Sequence, residues 1–406
     1  MNHRSPVADV VVAGAGIAGA TLALILKRAM GDGLQVVLAD PALATWRSWP
    51  QTFRALAVAP DARHYLEQLG IWAALADQTQ PVRAMVITDS RVGATPNPAF
   101  LRFEDPGANA LAHMVLADKL RALLVEACHN AGVALVAEPI TDWTPGPYRV
   151  ALTGSTRELP STRLLVAADG GRSRLRHAAR IQTLDRDYRQ SGIVATLEHD
   201  EDHRGEAVQH FLPAGPIALL PLKAHDGSGR RTSIVWTEDG EVAEQLAALP
   251  PADFIGALEL RIGRSLGVIR LEDRPRAHAL KFSMARQLVG PRFALLGDAA
   301  RTIHPLAGQG LNLGLRDAMA LASHVLHHAE VGLDPGAPAV LEAYERDRRP
   351  ASLAMGALTD SLNSLFSNDL LPLRSLRDVG LGLVDRAGPI KSFLVRQATI
   401  PAQPRI

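Results

Sequence analysis

The sequence has only one cysteine, Cys128, among its 406 residues. A single thiol cannot form a disulfide within the chain or supply a zinc or iron–sulfur site that needs several cysteines. His324, His327 and His328 have helical spacing, but no carboxylate or cysteine cluster accompanies them, so we expect a solvated helix end and no metal. Scarce cysteine is typical of a reducing compartment, and we expect a cytoplasmic protein.

The sequence also lacks an excess of either charge, because 43 basic residues balance 42 acidic ones and leave a formal net charge of +1. Such a chain has no strong field to attract nucleic acid, and we expect no nucleic-acid partner. Its 47% hydrophobic and 21% charged residues are ordinary for a globular protein, and its length suffices for two domains.

Long apolar runs are lacking except in VVVAGAGIAGATLALIL, residues 10–26. Asp9 is the only charged residue from Val7 to Leu26, so this stretch has the length of a membrane span and follows a basic start like that of a signal peptide. The same residues contain a third pattern, in which a β-branched strand leads into a glycine-rich turn and a helix.

This turn contains Gly14, Gly16 and Gly19 in the pattern G-x-G-x-x-G. The three glycines allow a tight turn, a close approach of backbone N–H groups to a pyrophosphate, and close packing of helix on strand. A second apolar strand, LQVVLAD, then ends in Asp40, where an acid accepts hydrogen bonds from a ribose. Because strand, turn, helix, strand and acid occur in order, the sequence predicts a dinucleotide site and no membrane segment.

Two further motifs follow apolar strands. In VAADGGRSRLR, residues 166–176, Asp169 and Gly170 follow a strand, and the arginines after them suit either a phosphate network or surface ion pairs. In LLGDAARTIHPLAGQGLNLGLRD, residues 295–317, Asp298 ends a strand and a helix begins at Leu311. The N–H groups and positive dipole of that helix would face a ligand that takes on negative charge.

The three motifs resemble the nucleotide fingerprint, the DG motif and the GD motif of the single-component flavoprotein aromatic hydroxylases. The third motif, FRALAVAPDARHYLEQLGIW at 53–72 and TDSLNSLF at 359–366 are similar, more narrowly, to the UbiH/VisC group of ubiquinone-biosynthesis hydroxylases. Within that group the resemblance is greatest to the 2-octaprenyl-6-methoxyphenol hydroxylases. The chain departs from the group at Arg301, where histidine is frequent, and at Val115, where asparagine or arginine is common.

The resemblance implies a role for each motif residue in binding FAD or in positioning the reaction. The three glycines of the first motif would contact the pyrophosphate of FAD. Asp40 would bind the adenosine ribose, and Arg54 would reach the pyrophosphate or the ribityl chain. Asp169 and Gly170 would support FAD and NAD(P)H, and Asp298 would bind the ribityl hydroxyls. The remaining cofactor residues, at the flavin pyrimidine edge and beside it, would be Gly308, Gly310, Leu311 and Asn312. Pro305 would line the reaction side of the ring. His304 is the second candidate catalytic residue, with either a role in shaping this loop, which we favour, or a role in proton transfer.

The order of strand types implies an α/β fold with a discontinuous Rossmann-like FAD-binding domain, an inserted β-rich substrate domain and a helical C-terminal region. The sequence predicts strands and turns between about residues 185 and 280, whereas nucleotide-type strands followed by the motifs occur before and after this region. The expected boundaries are 1–76, 106–180 and 278–335 for the FAD-binding domain, 77–105 and 181–277 for the substrate domain, and 336–406 for the C-terminal region.

The function that the resemblance implies is FAD-dependent hydroxylation of an electron-rich phenol, expected to be polyprenylated, through a flavin C4a-hydroperoxide. NAD(P)H would be the reductant and O2 the co-substrate. The sequence has no second G-x-G-x-x-G with a strand and an acid, so we expect no separate domain for NAD(P)H. Two alternatives stay open, a hydroxylase of soluble aromatic acids and a non-catalytic flavin-binding subunit of a biosynthetic complex. Contact with other ubiquinone-biosynthesis proteins, peripheral contact with the inner membrane and a homo-oligomer also stay open.

Overall fold

The computed structural model describes residues 7–50, 54–89, 101–107, 109–224, 226–303 and 309–366. The strands, numbered in chain order, are β1 (Val7–Ala13), β2 (Val36–Ala39), β3 (Ala55–Val58), β4 (Gln80–Val82), β5 (Ala84–Asp89), β6 (Leu101–Glu104), β7 (Ala112–Leu116), β8 (Ala134–Val136), β9 (Ile140–Pro145), β10 (Val150–Gly154), β11 (Glu158–Ala167), β12 (Thr183–His199), β13 (Glu206–Leu212), β14 (Gly215–Leu222), β15 (Arg231–Asp239), β16 (Ile269–Leu271), β17 (Arg276–Ala285), β18 (Val289–Gly290), β19 (Phe293–Leu295) and β20 (Arg301–Thr302). The α-helices are α1 (Ile17–Met30), α2 (Pro60–Gln68), α3 (Trp72–Leu75), α4 (Ala117–Asn130), α5 (Arg174–Ala178), α6 (Gly240–Ala247), α7 (Pro251–Ile262), α8 (Gln309–Ala329) and α9 (Pro338–Phe366).

A mostly parallel sheet of eight strands is built around β1. Its order is β18-β19-β11-β1-β2-β8, and the antiparallel strands β9 and β10 extend it from β11. β1 lies between β11 and β2 and runs parallel to both. Val10, Val11 and Val12 are at most 1% exposed, so both faces of this strand are covered. Such a doubly covered position favours the β-branched run that the sequence shows. The predicted α/β fold is confirmed.

The apolar opening stretch divides between a strand and a helix, as the glycine pattern predicted. β1 ends at Ala13 and α1 begins at Ile17, so the helix already includes Gly19 of the glycine pattern. At 14 residues α1 is about 21 Å long, which is shorter than the roughly 30 Å apolar core of a bilayer. Among the residues that the structure describes, no helix is long and apolar enough to cross a membrane.

A second sheet of nine strands holds the region that read as strands and turns. Its order is β20-β17-β12-β15-β14-β13-β5-β6, with β16 paired to β12. The expectation of strands and turns alone is wrong at residues 240–262, where α6 and α7 cover one face of the sheet. Asp239 accepts a hydrogen bond from Glu241 N and starts α6, while Phe254 of α7 packs on Trp236. The sequence analysis missed these helices because each is short and because Pro250 and Pro251 separate them, which leaves no long helical pattern.

A small sheet and the two long helices join these layers. The small sheet has the order β3-β7-β4. α8 approaches α1 closely, because a Cβ on Gly314 would lie 3.3 Å from that of Ala18. α8 is also joined to α2 by a short ion pair, in which Arg316 Nε lies 2.6 Å from a carboxylate oxygen of Asp61.

The strands place residues from several of the expected domain segments in shared sheets. β5 and β6, from residues 77–105, belong to the nine-stranded sheet together with β12 to β17. The domain boundaries themselves stay a prediction. Residues 367–406 of the expected C-terminal region lie outside the described residues.

The contact of α9 with the parallel sheet generates a stability prediction. The hydroxyl of the buried Tyr344 donates a 2.9 Å hydrogen bond to the carbonyl oxygen of Leu295 in β19. Tyr344→Phe should lower the free energy of unfolding by about 1 kcal/mol, because a buried carbonyl loses this partner. Tyr148→Phe is the control, since Tyr148 is 78% exposed. Equal urea denaturation midpoints for wild type and Tyr344→Phe would contradict the prediction.

Candidate cofactor site

The three sequence motifs meet at one edge of the parallel sheet. Gly14 follows β1, Asp40 follows β2, Asp169 comes two residues after β11, and Asp298 comes three residues after β19. Because these four strands are parallel, their carboxyl ends lie at the same edge. In open α/β sheets this edge is where ligands bind.

The glycines of the first motif serve two different purposes. Gly14 has a φ of +114°, and a Cβ there would lie 2.2 Å from the carbonyl oxygen of Ala168. A Cβ on Gly19 would lie 2.1 Å from the carbonyl oxygen of Gly14, so both positions exclude a side chain through the protein's own packing. A Cβ on Gly16 would meet nothing within 4 Å, so this glycine borders open space.

The open space beside Gly16 lies at the start of α1. Gly16 is the N-cap of the helix, no side chain caps it, and the first turn carries no acidic residue. The first N–H groups of a helix have no partner within the helix and carry its positive dipole end. This arrangement suits the pyrophosphate of a dinucleotide.

Asp40 lies beside the glycine-rich turn and partly supports it. One of its oxygens accepts a hydrogen bond from Ala15 N, and the other accepts one from Ala42 N, both at 2.8 Å. A carboxylate has about four acceptor positions, so two remain for ribose hydroxyls. The predicted ribose contact is therefore compatible with the geometry, and it stays a prediction.

Arg121 is a site residue that the sequence analysis missed. From α4, its Nε donates a 2.8 Å hydrogen bond to the carbonyl oxygen of Ala15, and its guanidinium lies 3.6 Å above the ring centre of Trp49. Burial lowers the pKa of Arg121, and the charge of Asp40 acts in the opposite direction. Val115, where the group that the sequence resembles often has a polar residue, is buried in β7. Arg121 follows it by six residues, early in α4.

Asp298 is exposed at this edge of the sheet, and the charge of Arg54 acts on it. Desolvation by the surrounding protein raises the pKa of Asp298 from its ordinary value, while the charges of Arg54 and Arg301 act to lower it. A carboxylate exposed at this edge can accept hydrogen bonds from the hydroxyl groups of a ligand.

The second motif is held to the third by Arg176, not by the residues that the resemblance singled out. Asp169 accepts hydrogen bonds from the backbone of Arg174 at 2.9 Å and of Leu175 at 3.3 Å, which fixes the start of α5. Gly170 has a φ of +85° with open space beside it. Arg176 donates to the carbonyl oxygens of Gly171 and Ala299 and so bridges the two motifs. Among the described residues the partners of Arg176 are backbone carbonyl oxygens and not carboxylates, and a phosphate contact by the arginines of this motif stays a prediction.

Near the start of α8, a Cβ on Gly310 would meet none of the described residues within 4 Å. The buried side chain of Asn312 is turned to β3, where it accepts from Ala59 N and donates to the carbonyl oxygen of Ala57. Leu311 packs against the main core. His304, Pro305 and Gly308 lie outside the described residues.

The histidines of α8 form no metal site in the part of the chain that the structure describes. His328 Nδ1 contacts the carbonyl oxygen of His324, one turn earlier, at 3.1 Å. No group of three histidine, cysteine, aspartate or glutamate side chains comes together among the described residues.

Comparisons with known proteins show the family and the fold of the chain. The family described as the FAD binding domain matches residues 7–358. The chain is 39% identical to the ubiquinone hydroxylase UbiL of Rhodospirillum rubrum, over 97% of this chain and 89% of that protein. It is 30% identical to the mitochondrial ubiquinone biosynthesis monooxygenase COQ6 of Mus musculus, over 96% of this chain and 90% of that protein. In fold it is similar to the p-nitrophenol 4-monooxygenase PnpA of Pseudomonas putida DLL-E4, with a TM-score of 0.78, 17% identity and coverage of 99% and 100% of the two chains.

The two kinds of glycine in the first motif generate a paired prediction. Gly16→Ala should leave the free energy of unfolding of the apoprotein within about 1 kcal/mol of wild type, because Gly16 has extended backbone and open space. It should weaken FAD at least about tenfold, because the new methyl group occupies the ligand's side of the turn. Gly19→Ala should instead lower the free energy of unfolding by about 3 kcal/mol, through its clash with Gly14.

Urea denaturation of the apoproteins and equilibrium FAD titration measure the two effects separately. Each variant is the control for the other. Wild-type FAD affinity in Gly16→Ala would show that the cofactor does not approach this turn.

Proposed function

Because the chain belongs to the family of the FAD binding domain and takes FAD as its cofactor, we propose that it hydroxylates a polyprenylated phenol in ubiquinone biosynthesis. The observation that carries this substrate class is that Arg231 is already paired with the carboxylate of Glu272. Arg231 is the one buried arginine among the described residues of 181–277. The names of the relatives UbiL and COQ6 support the same pathway.

Arg231 decides between a phenol with a polyprenyl tail and a soluble aromatic acid. The carboxylate of an aromatic acid needs a cationic partner inside the site, since an unpaired buried charge is costly. Arg231 is 5% exposed, and both oxygens of Glu272 accept hydrogen bonds from its guanidinium, at 2.6 and 2.7 Å. This arginine is already neutralised by a bidentate partner, which favours a substrate without a carboxylate.

A buried apolar cluster, called the apolar wall below, lies between the small sheet and the nine-stranded sheet. Its buried residues are Val82, Met114, Ala207 and Leu222, with the partly buried Ala55, Ala57, Ala112 and Leu220 packed against them. The apolar wall begins one residue after Arg54 and adjoins the backbone that Asn312 holds. Its side chains supply no charged group, which is compatible with an apolar substrate beside it.

Bound FAD, reduced by NAD(P)H, would supply the reducing power and the activation of O2, which is chemistry that belongs to the cofactor. The chain's own residues would bind and orient it. The N–H groups of α1 would hold the pyrophosphate, and Asp298 with Arg54 would hold the ribityl chain. The N–H groups at the start of α8 would stabilise negative charge on the reduced ring. The apolar wall would exclude water from the reacting phenol. His304 and Pro305 would complete the reaction side.

The same proposal covers the setting of the reaction. A polyprenylated phenol resides in a lipid bilayer, so the protein would be cytoplasmic with peripheral contact to the inner membrane. Contacts with other ubiquinone-biosynthesis proteins or with a second copy would serve substrate transfer.

The proposed role of α8 predicts a change in the flavin potential. Gly310→Val should lower the reduction potential of bound FAD and slow its reduction by NAD(P)H, because a side chain separates the ring from the helix terminus, whose dipole acts within one turn. The protein itself leaves room for that side chain. Gly256→Val is the matched control, since Gly256 lies in α7 and also has open space beside it. Redox titration at matched FAD loading measures the effect, and equal potentials in all three proteins would contradict the helix assignment.

The proposed substrate is tested by turnover with the purified FAD-loaded protein. We expect NAD(P)H oxidation to rise at least about tenfold with a short-chain prenylated phenol, with a product heavier by one oxygen atom. Hydroxybenzoates should give neither effect, and Gly16→Ala serves as the control with weakened FAD. A deletion strain should accumulate a prenylated precursor that lacks one hydroxyl group. Turnover of a hydroxybenzoate in place of the prenylated phenol would support the aromatic-acid alternative, and no substrate-dependent oxidation would support a non-catalytic subunit.

A further inference from the structure

Three charged side chains form a buried cluster behind the cofactor edge. Asp317 of α8 is fully buried, Arg301 of β20 is 3% exposed, and Arg348 of α9 is 7% exposed. Arg301 Nη2 lies 2.7 Å from one oxygen of Asp317, and Arg348 Nε lies 2.9 Å from the other. Two guanidinium groups share one carboxylate, so the cluster has a net charge of +1.

The cluster also has unused hydrogen-bond donors. Within the part of the chain that the structure describes, Arg301 Nε and Nη1 and Arg348 Nη2 are buried and have no hydrogen-bond partner. The charges of Arg301 and Asp298 also act on each other. A buried cation with unpaired donors is unfavourable unless an anion or water completes it.

A cavity of about 180 Å³ adjoins this cluster, and Arg301 is one of its lining residues. Arg286 and Arg349 also line it, and no aspartate or glutamate is among its described lining residues. The rest of the wall is mainly apolar and includes Leu184, Met284, Leu288 and Leu353. Leu184 and Leu353 are 55% and 50% exposed, so the cavity has an apolar border to solvent.

This cavity is separate from the cofactor site. None of the assigned FAD residues that the structure describes lines it. Arg301 and Thr302 are neighbours in β20, and Thr302 contacts Gly171 of the second motif, whereas Arg301 reaches Asp317 of α8. The inference below therefore does not depend on the proposed function.

We propose that the cavity binds a small oxyanion carried on an apolar body, in the chemical class of a cyclic or branched aliphatic carboxylate. The oxyanion would neutralise the excess charge of the cluster and accept hydrogen bonds from the arginines. The leucine and methionine side chains would cover the apolar body. Three arginines without a carboxylate in the wall give charge complementarity, and the volume is that of a ligand about as large as a six-membered ring with one substituent.

The test is isothermal titration of the FAD-loaded full-length protein with cyclohexanecarboxylate. We expect one ligand per chain and no change in the flavin absorption spectrum, since the cavity lies apart from the cofactor. Arg349→Gln and Arg286→Gln should each weaken binding about tenfold, through loss of one charged partner. Arg346→Gln is the matched control: it removes the same charge from an exposed position of α9 that does not line the cavity, and binding should stay within about twofold of wild type.

Two further ligands separate the contributions of charge and apolar body. Cyclohexylmethanol should not bind measurably, and inorganic phosphate at equal ionic strength should bind more weakly than cyclohexanecarboxylate. Binding of the alcohol as tight as that of cyclohexanecarboxylate would overturn the role of the oxyanion. An equal loss of affinity in Arg346→Gln and Arg349→Gln would show that binding depends on the net charge of the protein and not on this cavity, and would overturn the proposal.

A lipid headgroup is the other source of an oxyanion on an apolar body. Cosedimentation with phosphatidylglycerol vesicles, compared with phosphatidylcholine vesicles, tests it. Binding to the anionic vesicles that depends on Arg349, with no binding of cyclohexanecarboxylate, would overturn the small-ligand assignment.

Discussion

The carboxylate of Asp317 holds together the parts of the fold on which the cofactor edge depends. From α8 it accepts hydrogen bonds from the backbone N–H of Gly297, from Arg301 and from Arg348. These partners belong to the turn that carries Asp298, to the strand that joins the nine-stranded sheet, and to α9. Removal of this one carboxylate would leave two buried guanidinium groups unpaired, and the cost of such a group exceeds that of most single contacts. The position of Asp298 relative to α8 is therefore set by electrostatics in the core as much as by the parallel sheet.

The parallel sheet and its three motifs could be predicted from the sequence because each rests on local chemistry. A β-branched strand, a glycine at positive φ and an acid at a strand end are short-range signals, and β1, Gly14 and Asp40 show all three. Between the glycine turn and Asp40 the chain forms α1, a single 3-10 turn at Gly31–Gly33, and β2. The family resemblance added the cofactor, which the glycine pattern alone leaves open among dinucleotides.

The residues that sequence reasoning missed act across large separations. Arg121 contacts Ala15 from 106 positions away, and Arg176 contacts Ala299 from 123 positions away. An arginine on a helix gives no local sign of which carbonyl it will reach, because its side chain is long and its partner depends on tertiary packing. Asn312 shows the same limit in reverse. Its position in the motif was evident, but its side chain holds the β3 backbone, a role that only the assembled layers could show.

The pairing of β1 with β11 has a consequence for how the protein is made. Val7 pairs with Ser161, and Leu165 pairs with Phe293, so the central strands of one sheet come from widely separated parts of the chain. During synthesis, the first glycine motif leaves the ribosome long before Asp298 can join it. Such non-local pairing slows folding and leaves strand edges exposed in the meantime. The nascent chain can offer FAD a complete site only after about three quarters of its length has been translated, so cofactor supply would act on the last stage of folding.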